Sequence, residues 1–251
     1  MKNNIPLEEF REVGIRIQVT ENQQEFLKKV KKNIITICCG PAATGKSYCA
    51  IAEGIRMVLS DARPDMKVNN LLIVRPAVEA QEDLGYLPGR AEEKIEPYMI
   101  PSILLIKKIL GKDYTKFIKK INTMTFAFMR GITFENSFVI LDEAQNTTPE
   151  QMKLFLTRIG RNCKVIIVGD KNQSDIKRKS GLSDATNRVR HIPGIAYCEL
   201  DNEDCMRHNI VGRIIEAYEG LSDKKRGEAL KRVMDSFPSL DDDEPITYWK
   251  S

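Results

Sequence analysis

The sequence predicts an α/β fold, a mainly parallel sheet with helices on both faces. Three observations carry that expectation. Continuous apolar runs of strand length recur at 34–39, 71–74, 138–141 and 165–168, and a strand that is apolar on both faces is one that is covered on both. Segments of helical length stand between them, so strands and helices alternate. The first of these runs leads into a glycine-bounded turn, Gly40-Pro41-Ala42-Ala43-Thr44-Gly45, followed directly by a helix-like segment.

Taken in order, Ile15, Ile17 and Val19 alternate with Arg16 and Gln18, the pattern of a half-buried first strand. Thr20 opens a helix to about Lys32, and Gln23, three residues on, completes a capping box. The 34–39 strand and a helix over 47–59 flank the turn. Residues 61–67 form a polar connection, and 71–74 is a short buried strand ending at Arg75-Pro76. The stretch 77–100 is rich in Glu, Gly and Pro and is expected to be irregular. Helices are expected over 103–110 and 114–121, and a further strand at 126–128. Residues 138–141 are the clearest buried strand. Pro149, with Glu150 beside it, starts a helix reaching Ile159. Strands at 165–168 and 195–200 and a helix over 206–219 complete the pattern.

The chain has 251 residues, 42% of them hydrophobic and 29% charged, which suits one large α/β domain. No apolar run reaches about 18 residues, so no membrane span is expected. The first residues lack the apolar core of a secretion signal, and a cytoplasmic location is expected. The six cysteines include no C-x-x-C pair and are expected to be free thiols. Net charge is +4. Lysines cluster at 28–32, at 107–120 and around 177–179, either as solvated faces or as contacts for a polyanion.

The chemistry starts at residues 40–47, which complete a G-x-x-x-x-G-K-[ST] phosphate loop in its strand–loop–helix setting. The glycines let successive N–H groups turn inward around phosphate oxygens, and the following helix adds its dipole. Lys46 is expected to reach the β- and γ-phosphates of ATP, and Ser47 to ligate Mg²⁺. The strand at 138–141 ends in Asp142-Glu143. Asp142 would join the Mg²⁺ shell, and Glu143 would orient or deprotonate the attacking water. The strand at 165–168 ends in Gly169-Asp170-x-x-Gln173, where Gln173 can contact the γ-phosphate or its water; Gln145 is a second candidate.

Residues 142–152 (Asp-Glu-Ala-Gln-Asn-Thr-Thr-Pro-Glu-Gln-Met) followed by Phe155-Leu-Thr-Arg158 resemble the PhoH-like ATPases. Arg75-Pro-Ala-Val-Glu79, Leu84-Gly-Tyr-Leu-Pro-Gly89, Phe128-Met-Arg-Gly131 and Ser180-Gly-Leu182 extend the resemblance over about residues 15–220. It implies a RecA-like P-loop NTPase fold related to superfamily-one helicases, ATP hydrolysis, and association with RNA or single-stranded DNA. It also implies a homo-oligomer, expected as a hexameric ring, with no membrane partner. Gln23 aligns with a glutamine that reads adenine in related helicases, beside its alternative role in the capping box. Arg207, or else Arg213, becomes a candidate arginine finger, while Arg75 and Arg130 would face nucleic acid or a neighbouring subunit. Ala43 stands where the family often has glycine, and Ser47 where it has threonine. The domain reading is an N-terminal strand segment over 1–20, the ATPase domain over 21–220, and a C-terminal helix with an acidic, mobile tail over 221–251.

Two other classes share the phosphate loop. A small-molecule kinase lacks use for Glu143 and for the Gly169-Asp170-x-x-Gln173 pattern. A nucleotide-gated scaffold has no use for a water-activating acid. The leading reading is Mg²⁺-dependent ATP hydrolysis coupled to nucleic-acid binding or remodelling, with helicase action as a ring.

Overall fold

The computed structural model describes residues 7–10, 15–59, 68–76, 91–173 and 179–205. Among the described residues, eight strands and six α-helices follow one another. They are β1 (Leu7–Phe10), β2 (Ile15–Gln18), α1 (Glu21–Lys32), β3 (Ile35–Cys39), α2 (Lys46–Leu59), β4 (Asn70–Val74) and α3 (Ala91–Leu110). Then come α4 (Tyr114–Phe117), β5 (Ile121–Met124), β6 (Ser137–Leu141), α5 (Pro149–Leu156), β7 (Lys164–Gly169), α6 (Gly181–Val189) and β8 (Ile195–Glu199).

The main sheet has six strands in the order β5-β4-β6-β7-β3-β8, and every pairing in it is parallel. β1 and β2 pair antiparallel as a separate ribbon. The apolar strands explain the layering. Phe138 and Ile140 of β6 pack on one side with Phe26, Leu27, Ile51 and Ile55 of α1 and α2. Val139 and Leu141 pack on the other with Met152, Phe155 and Leu182 of α5 and α6. Alternate residues of one strand thus feed two cores, as a doubly covered sheet requires.

Local signals set the helix ends. Thr20 Oγ1 accepts from the N–H of Gln23 at 3.2 Å, and the N–H of Thr20 donates to Gln23 Oε1 at 3.0 Å. Thr148 and Gln151 repeat the box at the start of α5. At the other end of α1, the buried ammonium of Lys164 donates to the carbonyls of Val30 (2.5 Å), Lys31 (2.8 Å) and Asn33 (2.7 Å). A cation thereby meets the negative end of the helix.

Three expectations change. Residues 91–100, expected to be irregular, belong to α3, while 77–90 lie outside the described residues; Pro97 and Pro101 hid a helix that nonetheless runs through them. The expected strand at 126–128 is a 3₁₀ turn, and the edge strand is β5, Ile121–Met124, placed by its register against Leu71–Val74. Its residues sit where a helix was expected to end, because the lysines ahead of it mask a short Ile-Asn-Thr-Met strand. α6 had no assignment from the sequence. The helix expected at 206–219, Arg207, Arg213 and the acidic tail lie outside the described residues.

Candidate nucleotide site

Parallel strands bring all their carboxyl ends to one edge of the sheet, and the loops that follow β3, β4, β6 and β7 converge there. After β3, the chain leaves the sheet at Gly40. A Cβ at that residue would lie 2.6 Å from the carbonyl oxygen of Leu200, so only glycine passes between β3 and the end of β8. Gly45 then takes φ +79°, a left-handed turn that glycine adopts without steric cost. Ala43 takes φ 67°, the same region without that freedom. α2 begins at Lys46, so the loop's N–H groups and the positive end of α2 face the same volume.

Lys46 Nζ lies across the mouth of the loop, donating to the carbonyls of Gly40 (2.7 Å) and Pro41 (2.6 Å) and to Thr44 Oγ1 (3.4 Å). Burial lowers its pKa, and the charge of Asp170 opposes that shift most. Gln23 is 1% exposed and supports the loop from behind. Its Nε2 donates to the carbonyls of Thr44 (2.9 Å) and Asp204 (3.4 Å), while its Oε1 accepts from Thr20. This is the capping alternative, extended to hold the loop's backbone. It gives an adenine contact no free amide hydrogen.

β6 delivers the acids. Ser47 Oγ, on the first turn of α2, donates to Asp142 Oδ1 at 2.7 Å. Burial pushes the Asp142 carboxyl up in pKa, and the adjacent Arg75 guanidinium pulls it back. Glu143 has φ 56° and ψ 41°, a left-handed conformation uncommon for a residue with a side chain and concentrated at functional sites. Its Oε2 accepts from Gln145 Nε2 at 2.7 Å, and Gln145 Oε1 accepts from the N–H of Asp170 at 3.0 Å. Gln145 therefore bridges the acid after β6 to the loop after β7. Gln173 is exposed beyond that loop, and Arg207 is outside the described residues.

Ser47 and Asp142 are hard oxygen donors converging from two elements. One oxygen of buried Asp170, Oδ2, has no hydrogen-bond partner among the described residues. Magnesium is usually held by one or two carboxylates together with phosphate oxygens and waters. The residues present fit that ion, with Ser47 and Asp142 as the groups that would hold it.

The phosphate loop after β3, and an acid pair on β6 with β7 intervening between the two strands, define a P-loop NTPase. The profile of the PhoH-like protein family matches residues 16–219, and the chain belongs to that family. A PhoH-like protein of Bacillus subtilis is 42% identical over 211 residues, which is 82% of this chain and 64% of that protein. One from Synechocystis is 39% identical, covering 80% and 61%, and protein PhoH of Escherichia coli K12 is 38% identical, covering 79% and 56%. The chain thus spans less than two thirds of these relatives' lengths. Among solved structures, the Hef helicase domain of Pyrococcus furiosus aligns at 12% identity and TM-score 0.40, over 70% of this chain and 37% of that one. Pif1 helicase of Candida albicans aligns at 16% identity and TM-score 0.37, over 74% and 40%.

The structure brings together the loop, Ser47, Asp142, Glu143 and Gln145. It also adds Arg75, which sequence reasoning aimed outward at nucleic acid or a neighbour. Arg75 Nε lies 3.4 Å from Asp142 Oδ2, and its NH2 donates to Glu143 Oε1 at 3.2 Å. The signal was its place at the end of a buried strand; what was missing was the strand order, which sets β4 beside β6. Arg130 is exposed, in the turn after the 3₁₀ segment at 126–128 and not at a strand end.

Proposed function

We propose that the chain is a Mg²⁺-dependent ATPase whose turnover is coupled to binding or remodelling RNA or single-stranded DNA, acting as a homo-oligomer. The observation that carries this reading is the 2.7 Å contact of Ser47 with Asp142, with Glu143 one residue further on. It supports a site in which the loop, the cation ligands and a general base act together. The loop's N–H groups and Lys46 bind the phosphate chain, and Lys46 leaves its carbonyl partners for the β- and γ-oxygens. Bound magnesium supplies positive charge to the phosphate oxygens. Glu143 orients a water and takes its proton as the water oxygen bonds to the γ-phosphorus. The bond to the β,γ-bridging oxygen breaks, and its electron pair leaves with ADP.

Gln145 or Gln173 senses the γ-phosphate, and Gln145 is favoured by its contact with Glu143. Arg207 of one subunit serves as the finger for the next, in the ring that the family resemblance implies; such a finger is worth about 10³-fold or more in rate. Support for a nucleic-acid partner comes from the net positive charge and the exposed lysines of 107–120.

The test is ATP turnover by the purified chain, alone and with single-stranded RNA or DNA, beside its native mass. Turnover that disappears in Glu143→Gln while ATP still binds is the expected result. A chain that binds no nucleotide, or hydrolyses it equally well as Glu143→Gln, overturns the reading.

A further inference from the structure

The acid placed to activate water is itself held in place. Both of its oxygens are held: Oε1 by Arg75 NH2 at 3.2 Å and Oε2 by Gln145 Nε2 at 2.7 Å. The direction of the first restraint matters. In the sheet order β5-β4-β6-β7-β3-β8, Arg75 leaves β4 on one side of β6. The phosphate loop leaves β3, two strands away on the other side. The ion pair therefore ties the Glu143 carboxylate to the β4 side of β6.

Arg75 is itself fixed. Its N–H donates to Met124 O at 3.2 Å, and its NH1 donates to Tyr98 O of α3 at 2.8 Å. Its side chain is 13% exposed, while that of Glu143 is 45% exposed. The side of the pair open to solvent is the carboxylate side.

We propose that Arg75 is a latch on the catalytic carboxylate, opened by a phosphate of single-stranded nucleic acid that displaces Glu143 from the guanidinium. The inference rests on the ATPase reading above. A guanidinium is a planar fork that takes phosphate as readily as carboxylate. A phosphodiester reaching it from the exposed side replaces Glu143 without disturbing the bond to Tyr98. The freed carboxylate swings toward the loop, still guided by Gln145. Arg75 is a positioning residue here: it acts through Glu143 and touches neither water nor ATP.

The test is steady-state turnover of Arg75→Gln at saturating Mg²⁺, with and without a single-stranded RNA oligonucleotide. Glutamine removes the cation and can still donate to Tyr98 O. The expected result is a basal kcat raised about fivefold or more, at the lower end of usual couplings between sites. The added stimulation by RNA is largely lost. A merely structural role would not raise kcat. Unchanged or lower basal kcat in folded Arg75→Gln overturns the latch while leaving the ATPase reading intact. Absence of any Glu143-dependent turnover in the natural chain overturns both. If Arg75→Gln cannot be recovered folded, Arg75→Met, which also removes the cation, is read by the same criteria.

Discussion

The two edges of the main sheet solve the same backbone problem with different residues. Ahead of β6 and β7, at the amino edge, Asn136 (φ 48°) and Asn162 (φ 52°) take left-handed turns. At the carboxyl edge, the described residues with positive φ that are not glycine are Ala43 (67°) and Glu143 (56°). Asparagine visits this region readily because its short amide bonds locally. Here Asn162 Nδ2 donates to Asn136 Oδ1 at 2.8 Å, tying the two turns together. Alanine and glutamate have no such compensation. Where only the fold sets the turn, the sequence uses a residue suited to it. Where the proposed phosphate cradle and general base stand, it accepts strain of order 1–3 kcal/mol per residue.

The charges divide in the same way. At the carboxyl edge, the buried Asp142 lies beside Arg75 and Ser47, and the charge of buried Asp170 acts on Lys46. At the amino edge, the buried Lys164 closes the end of α1, and exposed lysines lead into β5. Chemistry and architecture thus occupy opposite ends of the same strands, and variants at each end should fail differently.

The largest effect is expected at the carboxyl edge. Lys46→Ala removes the ammonium from the phosphates and should lower ATP turnover by about 10³-fold or more, since binding and transition-state stabilisation both weaken. Its unfolding midpoint should stay near that of the natural chain. Turnover within about tenfold of normal would remove Lys46 from the site.

Lys164→Met should do the reverse. It leaves the carbonyls of Val30, Lys31 and Asn33 without the ammonium they share. Leaving buried acceptors unsatisfied costs about 1–3 kcal/mol each, less whatever water recovers, so a net loss of about 2–4 kcal/mol in urea unfolding is expected. ATP turnover per folded molecule should hold. A loss under about 0.5 kcal/mol would mean that the end of α1 does not depend on the cap.

How much of this contrast could be read from the chain itself depends on the range of the signal. The phosphate loop, the Asp142-Glu143 strand end and the Thr20–Gln23 box are local patterns. The structure has each in the element the sequence placed it in. Arg75 on the acids, Gln145 as a bridge and Lys164 as a cap depend on which strand lies beside which, and periodicity carries no strand order. β5 and the first half of α3 were obscured for a different reason. Four residues beside a lysine-rich run give too short a pattern, and two prolines argue locally against a helix that tertiary packing nonetheless permits.

The exposed lysines test whether the amino edge binds anything. Replacing Lys108, Lys112, Lys119 and Lys120 together by glutamine should weaken single-stranded RNA binding by about tenfold. The log–log salt dependence should flatten by about 0.7 for each phosphate that is no longer neutralised. Unchanged affinity and slope would make this run a solvated face and confine all binding to the carboxyl edge.

The smallest effect addresses strain directly. Ala43 takes φ 67° in the loop, a conformation that glycine adopts without steric cost. An L-residue in this region costs roughly 1–2 kcal/mol. Glycine removes that cost but loses about 0.5–1 kcal/mol through the greater freedom of its unfolded chain. The balance predicts that Ala43→Gly stabilises the protein by about 0.5–1 kcal/mol in denaturant unfolding. Asn136→Gly at the amino edge should change little, because asparagine already tolerates its turn. If both substitutions destabilise alike, the contrast between the edges is one of geometry without strain. If Ala43→Gly gains stability and also loses turnover, the alanine keeps the loop stiff enough to hold phosphate, and the strain at this edge is the cost of a fixed cradle.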